Sequence, residues 1–99
     1  MLLHTVNQSP TNGSAWQSAL RSLLPGAHLL LLEDGVYAAV AGTAAADQLA
    51  ALNNVHCYVL AADAAARGVT HKLTAAIELI SYQDFVSLSI ECHAVQSWY

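Results

Sequence analysis

The stretch HLLLLEDGVYAAVAGT, His28 to Thr43, decides the fold. It opens on an unbroken apolar run, Leu29 to Leu32, turns at Glu33-Asp34-Gly35, and continues in small residues to Gly42. An apolar run without alternation reads as a strand buried on both faces, the mark of a parallel sheet with helices on either side. The segment after the turn reads as a helix over 35–41 capped by Asp34, with Gly42 as a left-handed exit and Thr43 as the cap of a second helical stretch over 44–52. The chain is therefore expected to be α/β. The acidic corner falls where open parallel sheets place their working groups, at the carboxyl ends of strands.

Working outward toward the amino terminus, Leu2 to Val6 reads as a first strand leading into the polar loop 7–13. Ser14 with Gln17 three residues on has capping-box spacing, and the helix it opens presents Trp16, Leu20, Leu23 and Leu24 as its packing stripe before Pro25-Gly26 stops it. Toward the carboxyl terminus, Val55 to Leu60 is the third strand and Asp63 caps a helical turn ending at Gly68. Residues 69–74 are polar and irregular with no evident core contact, and are expected to be the most mobile part of the chain. Ile77 to Ile80 is the fourth strand, Ser81 and Asp84 cap a helix that turns Phe85, Val86 and Ile90 inward, and Ala94 to Trp98 is the fifth strand. Strands separated by helical segments pair through right-handed crossovers, which predicts a three-layer α/β/α sandwich with a largely parallel five-stranded sheet in a single domain over 1–99. Periodicity leaves the strand order open.

Of the 99 residues 56% are hydrophobic and only 10% charged, where a soluble domain usually carries about 25% charged residues. A small domain has a large surface, and with so few charges much of it is Ala, Leu, Val and aromatic, which implies burial against other subunits. Arg21, Arg67 and Lys72 are the only Lys and Arg residues against seven acidic ones, so phosphate neutralisation, the basis of nucleic-acid affinity, is not expected of this chain. No apolar run approaches the roughly 20 residues of a membrane span, and the start MLLHTVNQSP lacks a basic region, so a cytoplasmic protein is expected. Cys57 and Cys92, in no CxxC pattern, suit a reducing compartment.

Candidate chemistry is sparse. Asn7, Glu33, Asp34, Asp63 and Asp84 all fall near strand ends, but the three aspartates stand where helices need caps, which leaves Glu33 as a rim or interface contact. Ser9, Thr11, Gly13 and Ser14 have the hydroxyls of a phosphate loop without a GxGxxG or GxxxxGK pattern. Cys57 lies inside a strand and reads as a buried small hydrophobe. Cys92, followed by His93, is the one candidate sulfur carrier, although the carboxyl end of a helix disfavours a thiolate. His4, His28 and His56 start three strands and could gather at the amino-terminal edge, too few local ligands for a zinc site. No metal or cofactor is expected. Trp98 and Tyr99 end the chain as anchors suited to an interface; Glu33, Asp34, Tyr37, Trp98 and Tyr99 are the interface candidates.

Four blocks, LLHTVNQSP, LLLLEDGVYAAVAGT, YVLAADAAARG and VQSWY, resemble the TusB/DsrH family of sulfur-relay proteins in order and spacing across nearly the whole chain. The resemblance implies a DsrE/DsrF/DsrH-like sheet. It also implies a cytoplasmic complex, a hetero-hexamer with TusC-like and TusD-like partners on which sulfur-carrier proteins dock, passing persulfide sulfur toward 2-thiolation of the tRNA wobble uridine. In that family the reactive cysteine belongs to the TusD-like partner, and some DsrH members carry a cysteine in the first helix at a position matching Ala19 here. An alanine cannot hold a persulfide, which favours a non-catalytic subunit of the tRNA-thiolating complex. The alternatives are a DsrH-like role in sulfur oxidation, sulfur carriage through Cys92, and a small flavin- or nucleotide-binding module.

Overall fold

The computed structural model describes residues 1–99. Its elements run β1 (Leu2–Val6), α1 (Ala15–Ser22), β2 (His28–Leu31), a 3-10 segment (Glu33–Ala39), α2 (Ala44–Ala50), β3 (His56–Leu60), α3 (Ala61–Ala66), a short 3-10 turn (Thr70–Lys72), β4 (Glu78–Ile80), α4 (Tyr82–Cys92) and β5 (Ala94–Trp98). The five strands form one sheet in the order β4-β3-β2-β1-β5, and every pairing is parallel. The central position of β2 explains its composition: all four residues are buried, so neither face has room for a polar alternation.

The register divides the strand residues between two faces. On one, Val6, Leu29, Leu31, Cys57 and Val59 join Trp16, Val36, Leu49, Ala64 and others in a cluster of 14 buried residues under α1, α2, α3 and the first 3-10 segment. On the other, Leu3, Leu30, Leu60 and Ile80 meet only α4, through Leu88 and Cys92, in a cluster of six. The sandwich has three layers, but the second helical layer is one helix thick.

Local structure departs from the sequence expectations in several places. The segment after Leu32 is a 3-10 helix that Asp34 does not cap. Gly35 explains the tight path: a Cβ there would collide with the carbonyl oxygen of Val6 and come within 2.8 Å of its carbon. Leu32 N–H also donates to that carbonyl, at 3.1 Å, so the corner is pressed against the end of β1. Ser14 makes no cap to α1, and Leu24 is exposed instead of packed, while the buried Ala19 joins Trp16 on the inner stripe. Asp63 lies in the first turn of α3 without capping it. The expected caps at Thr43 and at Ser81 with Asp84 are present, the latter as a reciprocal capping box. On α4 the inward residues are Leu88 and Cys92 with part of Phe85; Val86 and Ile90 are 41% and 70% exposed. Residues 69–74 are tied down: Val69 is buried in the larger cluster, Leu73 packs on it and bridges Val40, and Thr74 N–H donates to Ala39 O at 2.8 Å.

Candidate functional site

The carboxyl ends of β2 and β3 bring Glu33, Asp34 and Asp63 together with Arg67, a residue that sequence reasoning left out of the site. Glu33 has φ +50, the left-handed region that costs a side-chain-bearing residue about 1 kcal/mol. Its amide is held there by Asp63, whose Oδ2 accepts the Glu33 N–H at 2.7 Å. The Arg67 Nε donates to Asp34 Oδ1 at 2.8 Å and its Nη1 to the Asp63 carbonyl at 3.3 Å, and the Asp34 bond raises the guanidinium pKa. Asp34 is more than half exposed, so the ion pair is worth no more than about 0.5 kcal/mol. The carboxylates that looked like helix caps thus stitch one βα corner to the next. The signal for Arg67 was its place four residues beyond Asp63, within reach of the same turn. Asp84 serves its own helix and Asn7 sits at the end of β1, where its Oδ1 is buried without a partner.

Beside this corner, between α1 and α2, lies a cleft of about 450 Å³ lined by Ser9, Thr11, Trp16, Gln17, Tyr37 and Gln48 among others, none of them charged. Trp16 Nε1 donates to Gln48 Oε1 at 2.8 Å, and the Ser9 and Thr11 hydroxyls bond each other at 3.1 Å. The hydroxyls that resembled a phosphate loop are therefore turned on one another, with no cation beside them. Tyr37, half exposed, forms part of the rim.

Neither thiol is accessible. Cys57 is buried in β3 and desolvation pushes its pKa up to about 11. Cys92 is 1% exposed, pressed beneath α4, and burial raises its pKa too. His93 follows it in a left-handed conformation, φ +66, exposed at the end of the helix. A thiol needs exposure and a depressed pKa to attack or carry sulfane sulfur, and these two have neither. Ala19 is fully buried.

The three strand-start histidines do not converge. His28 and His56 stack with centroids 5.0 Å apart, and His28 Nδ1 lies 2.8 Å from the Tyr58 hydroxyl. His4 points to the opposite face, where its Nδ1 accepts the Trp98 Nε1–H at 3.1 Å. Trp98 is thereby docked within its own chain against the larger cluster, while Tyr99 is 82% exposed. No group of three His, Cys, Asp or Glu side chains is placed to hold a metal ion. No helix is long and apolar enough to cross a membrane.

Fold and site together define a class: a small all-parallel α/β domain whose strand-end rim is knitted by its own polar side chains and whose thiols are shut inside its layers. Comparison with known proteins places it further. The family described as DsrH like protein matches residues 8–95. Protein TusB of Pectobacterium parmentieri is 39% identical over 97 residues, covering 98% of this chain and all of the relative, and Protein TusB of Escherichia coli is 39% identical over 99 residues with the same coverage. The chain belongs to the TusB/DsrH family of sulfur-relay proteins. Among solved structures, the ychN protein from Escherichia coli superposes with a TM-score of 0.82 over 98% of this chain and 97% of its own at 18% identity. Protein Tm0979 from Thermotoga maritima gives 0.66 over 92% and 93% at 22% identity. These two likenesses are of fold.

Proposed function

We propose that this chain is a non-catalytic subunit of a cytoplasmic sulfur-relay complex that passes persulfide sulfur toward 2-thiolation of the tRNA wobble uridine. Its partners in this reading are TusC-like and TusD-like subunits in a hetero-hexamer on which sulfur carriers dock. The observation that carries it is the burial of both cysteines in a chain of a sulfur-relay family: Cys57 and Cys92 each have a raised pKa, so the transferable sulfur rides on a partner. The sparse charge fits a subunit that spends its surface on neighbours, and the full-length match to Protein TusB favours tRNA thiolation over sulfur oxidation.

Two measurements test this. Co-expressed with TusC-like and TusD-like subunits from its own cell, the chain should co-purify with both in fixed ratio; a lone monomer under those conditions removes the reading. Iodoacetamide at neutral pH should label neither cysteine of the folded chain and both after unfolding. Rapid selective labelling of Cys92 would instead make it the carrier.

A further inference from the structure

The thinly covered face of the sheet supplies the inference. Five strands lie beneath a single helix there, and its cover stops short of the amino-terminal ends of β3 and β4: Leu60 and Ile80 are buried against it, but His56 and Glu78 are exposed and Tyr58 half-buried. Between those strands and α4 runs a groove of about 250 Å³. Ile80, Leu88 and Tyr58 line its apolar part, and the exposed carboxylates of Glu78, Asp84 and Glu91 line the rest.

Those charges have no counterpart within the chain. The single ion pair is Arg67 with Asp34. Arg21, Arg67 and Lys72 all stand on or beside segments of the other layer, α1, α3 and the turn Thr70–Lys72. Asp84 is partly satisfied as the cap partner of Ser81, but Glu78 and Glu91 have no hydrogen-bond partner on their side chains. Both flank one spot: burial raises the pKa of the Tyr58 hydroxyl, and Glu78 and Glu91 push it the same way. That hydroxyl meets Nδ1 of the buried His28, and the Nε2 of the same ring has no partner in the chain. A half-apolar groove edged by carboxylates that no cation of the chain neutralises is an unfinished interface.

We infer that this groove receives a lysine- or arginine-bearing segment of a partner subunit, laid along α4 with its apolar side on Ile80 and Leu88 and its cations on Glu78 and Glu91. The inference rests on the proposed function for the identity of the partner, a paralogous subunit of the relay complex. A second copy of this chain is a poorer occupant, because its few cations lie in segments of the opposite layer.

The test uses the whole chain with co-expressed TusC-like and TusD-like subunits. Glu78 and Glu91 are exposed and bond to nothing, so Glu78→Lys with Glu91→Lys leaves the fold intact by circular dichroism. It should weaken assembly about tenfold or more, and raising salt should weaken the wild-type complex in the same direction. Carbodiimide with glycine ethyl ester should modify Glu78 and Glu91 quickly in the free chain and slowly in the complex. Assembly of the double variant within about twofold of wild type, or equal modification rates free and bound, overturns the groove while leaving the subunit role standing. Failure of the wild-type chain to assemble at all overturns the subunit role itself.

Discussion

On one face of the sheet Trp16, Val36, Leu49 and Ala64 close over Leu29, Leu31 and Val59, while on the other a single helix lays Leu88 and Cys92 on Leu3 and Leu30. Each face belongs to the same strands, yet the first is sealed by three helices and a 3-10 segment and the second stops short of the sheet's margins. The helix that covers the second face turns Tyr82, Val86 and Ile90 to solvent. A domain with one core can be stable with its weight on one side, and that frees the other side for contact. The division also separates residues that hold the fold from residues free to change: the first set lies at the Gly35 corner and under α1 to α3, the second around α4 and the β4 margin.

The strongest way to break the sealed face is at its corner. Gly35→Ala forces a methyl into the Val6 carbonyl, and since both partners are backbone, relief requires moving β1 or the 3-10 segment. A loss of about 3 kcal/mol or more is expected, lowering Tm by on the order of 15 °C. Urea denaturation measures it, and a loss below about 1 kcal/mol would mean the corner yields freely. Next, Leu29→Ala and Leu88→Ala compare the two faces directly. Leu29 is fully buried and hemmed in by the larger cluster, so its truncation leaves a cavity and should cost about 3 to 4 kcal/mol. Leu88 edges an open groove that water and neighbours can fill, and about 2 kcal/mol is expected. Equal losses would erase the distinction between the faces.

The central strand β2 was legible because burial on both sides writes itself as an unbroken apolar run, and all five strands lie within a residue of the expected spans although β5 is largely exposed. Parallel pairing was legible too, from the helical segments between strands. Strand order was not, since any right-handed crossover satisfies the same periodicity. The errors cluster where tertiary contact overrides local preference. Val86 and Ile90 are apolar at helical spacing and were expected inside, but the helix is turned so that Leu88 and Cys92 face the sheet, and hydrophobicity alone does not choose between two apolar stripes. Asp34 and Asp63 occupy cap-like positions yet bond across to Arg67 and to the Glu33 amide, partners 33 and 30 residues away. Val69 and Leu73 sit in a polar stretch, and only the fold brings Val40 to meet them. At the site, the buried state of Cys57 could be read from its place inside a strand. That of Cys92 could not, because it depends on the rotation of α4.

The Glu33 corner gives a smaller and sharper probe of the sealed side. Asp63→Ala removes the acceptor that holds a left-handed Glu33 amide and should cost about 1 to 2 kcal/mol. Glu33→Gly in the same background should recover roughly 1 kcal/mol, because glycine takes φ +50 without strain. Recovery by Glu33→Ala instead would show that the side chain, not the backbone, is what Asp63 restrains.

The smallest effect compares two buried histidines, one on each face. His4 accepts a hydrogen bond from Trp98, so a proton on its Nδ1 would set donor against donor, and burial lowers its pKa below 6.5. His28 is lowered by burial and by His56, with Glu91 pulling the other way. The sign is the same for both: the unfolded chain takes up these protons at a higher pH than the folded one, so their contribution to stability is complete above pH 6.5 and is lost as the pH falls through that value toward the folded pKa. Two-dimensional NMR of the indole N–H groups separates the sites. The Trp98 signal should move on acidification below pH 6.5 while that of Trp16, bonded to the uncharged Gln48, stays in place. A Trp98 signal that holds still while the fold persists, or that moves only together with Trp16, would mean that His4 does not titrate against its indole partner in the folded chain.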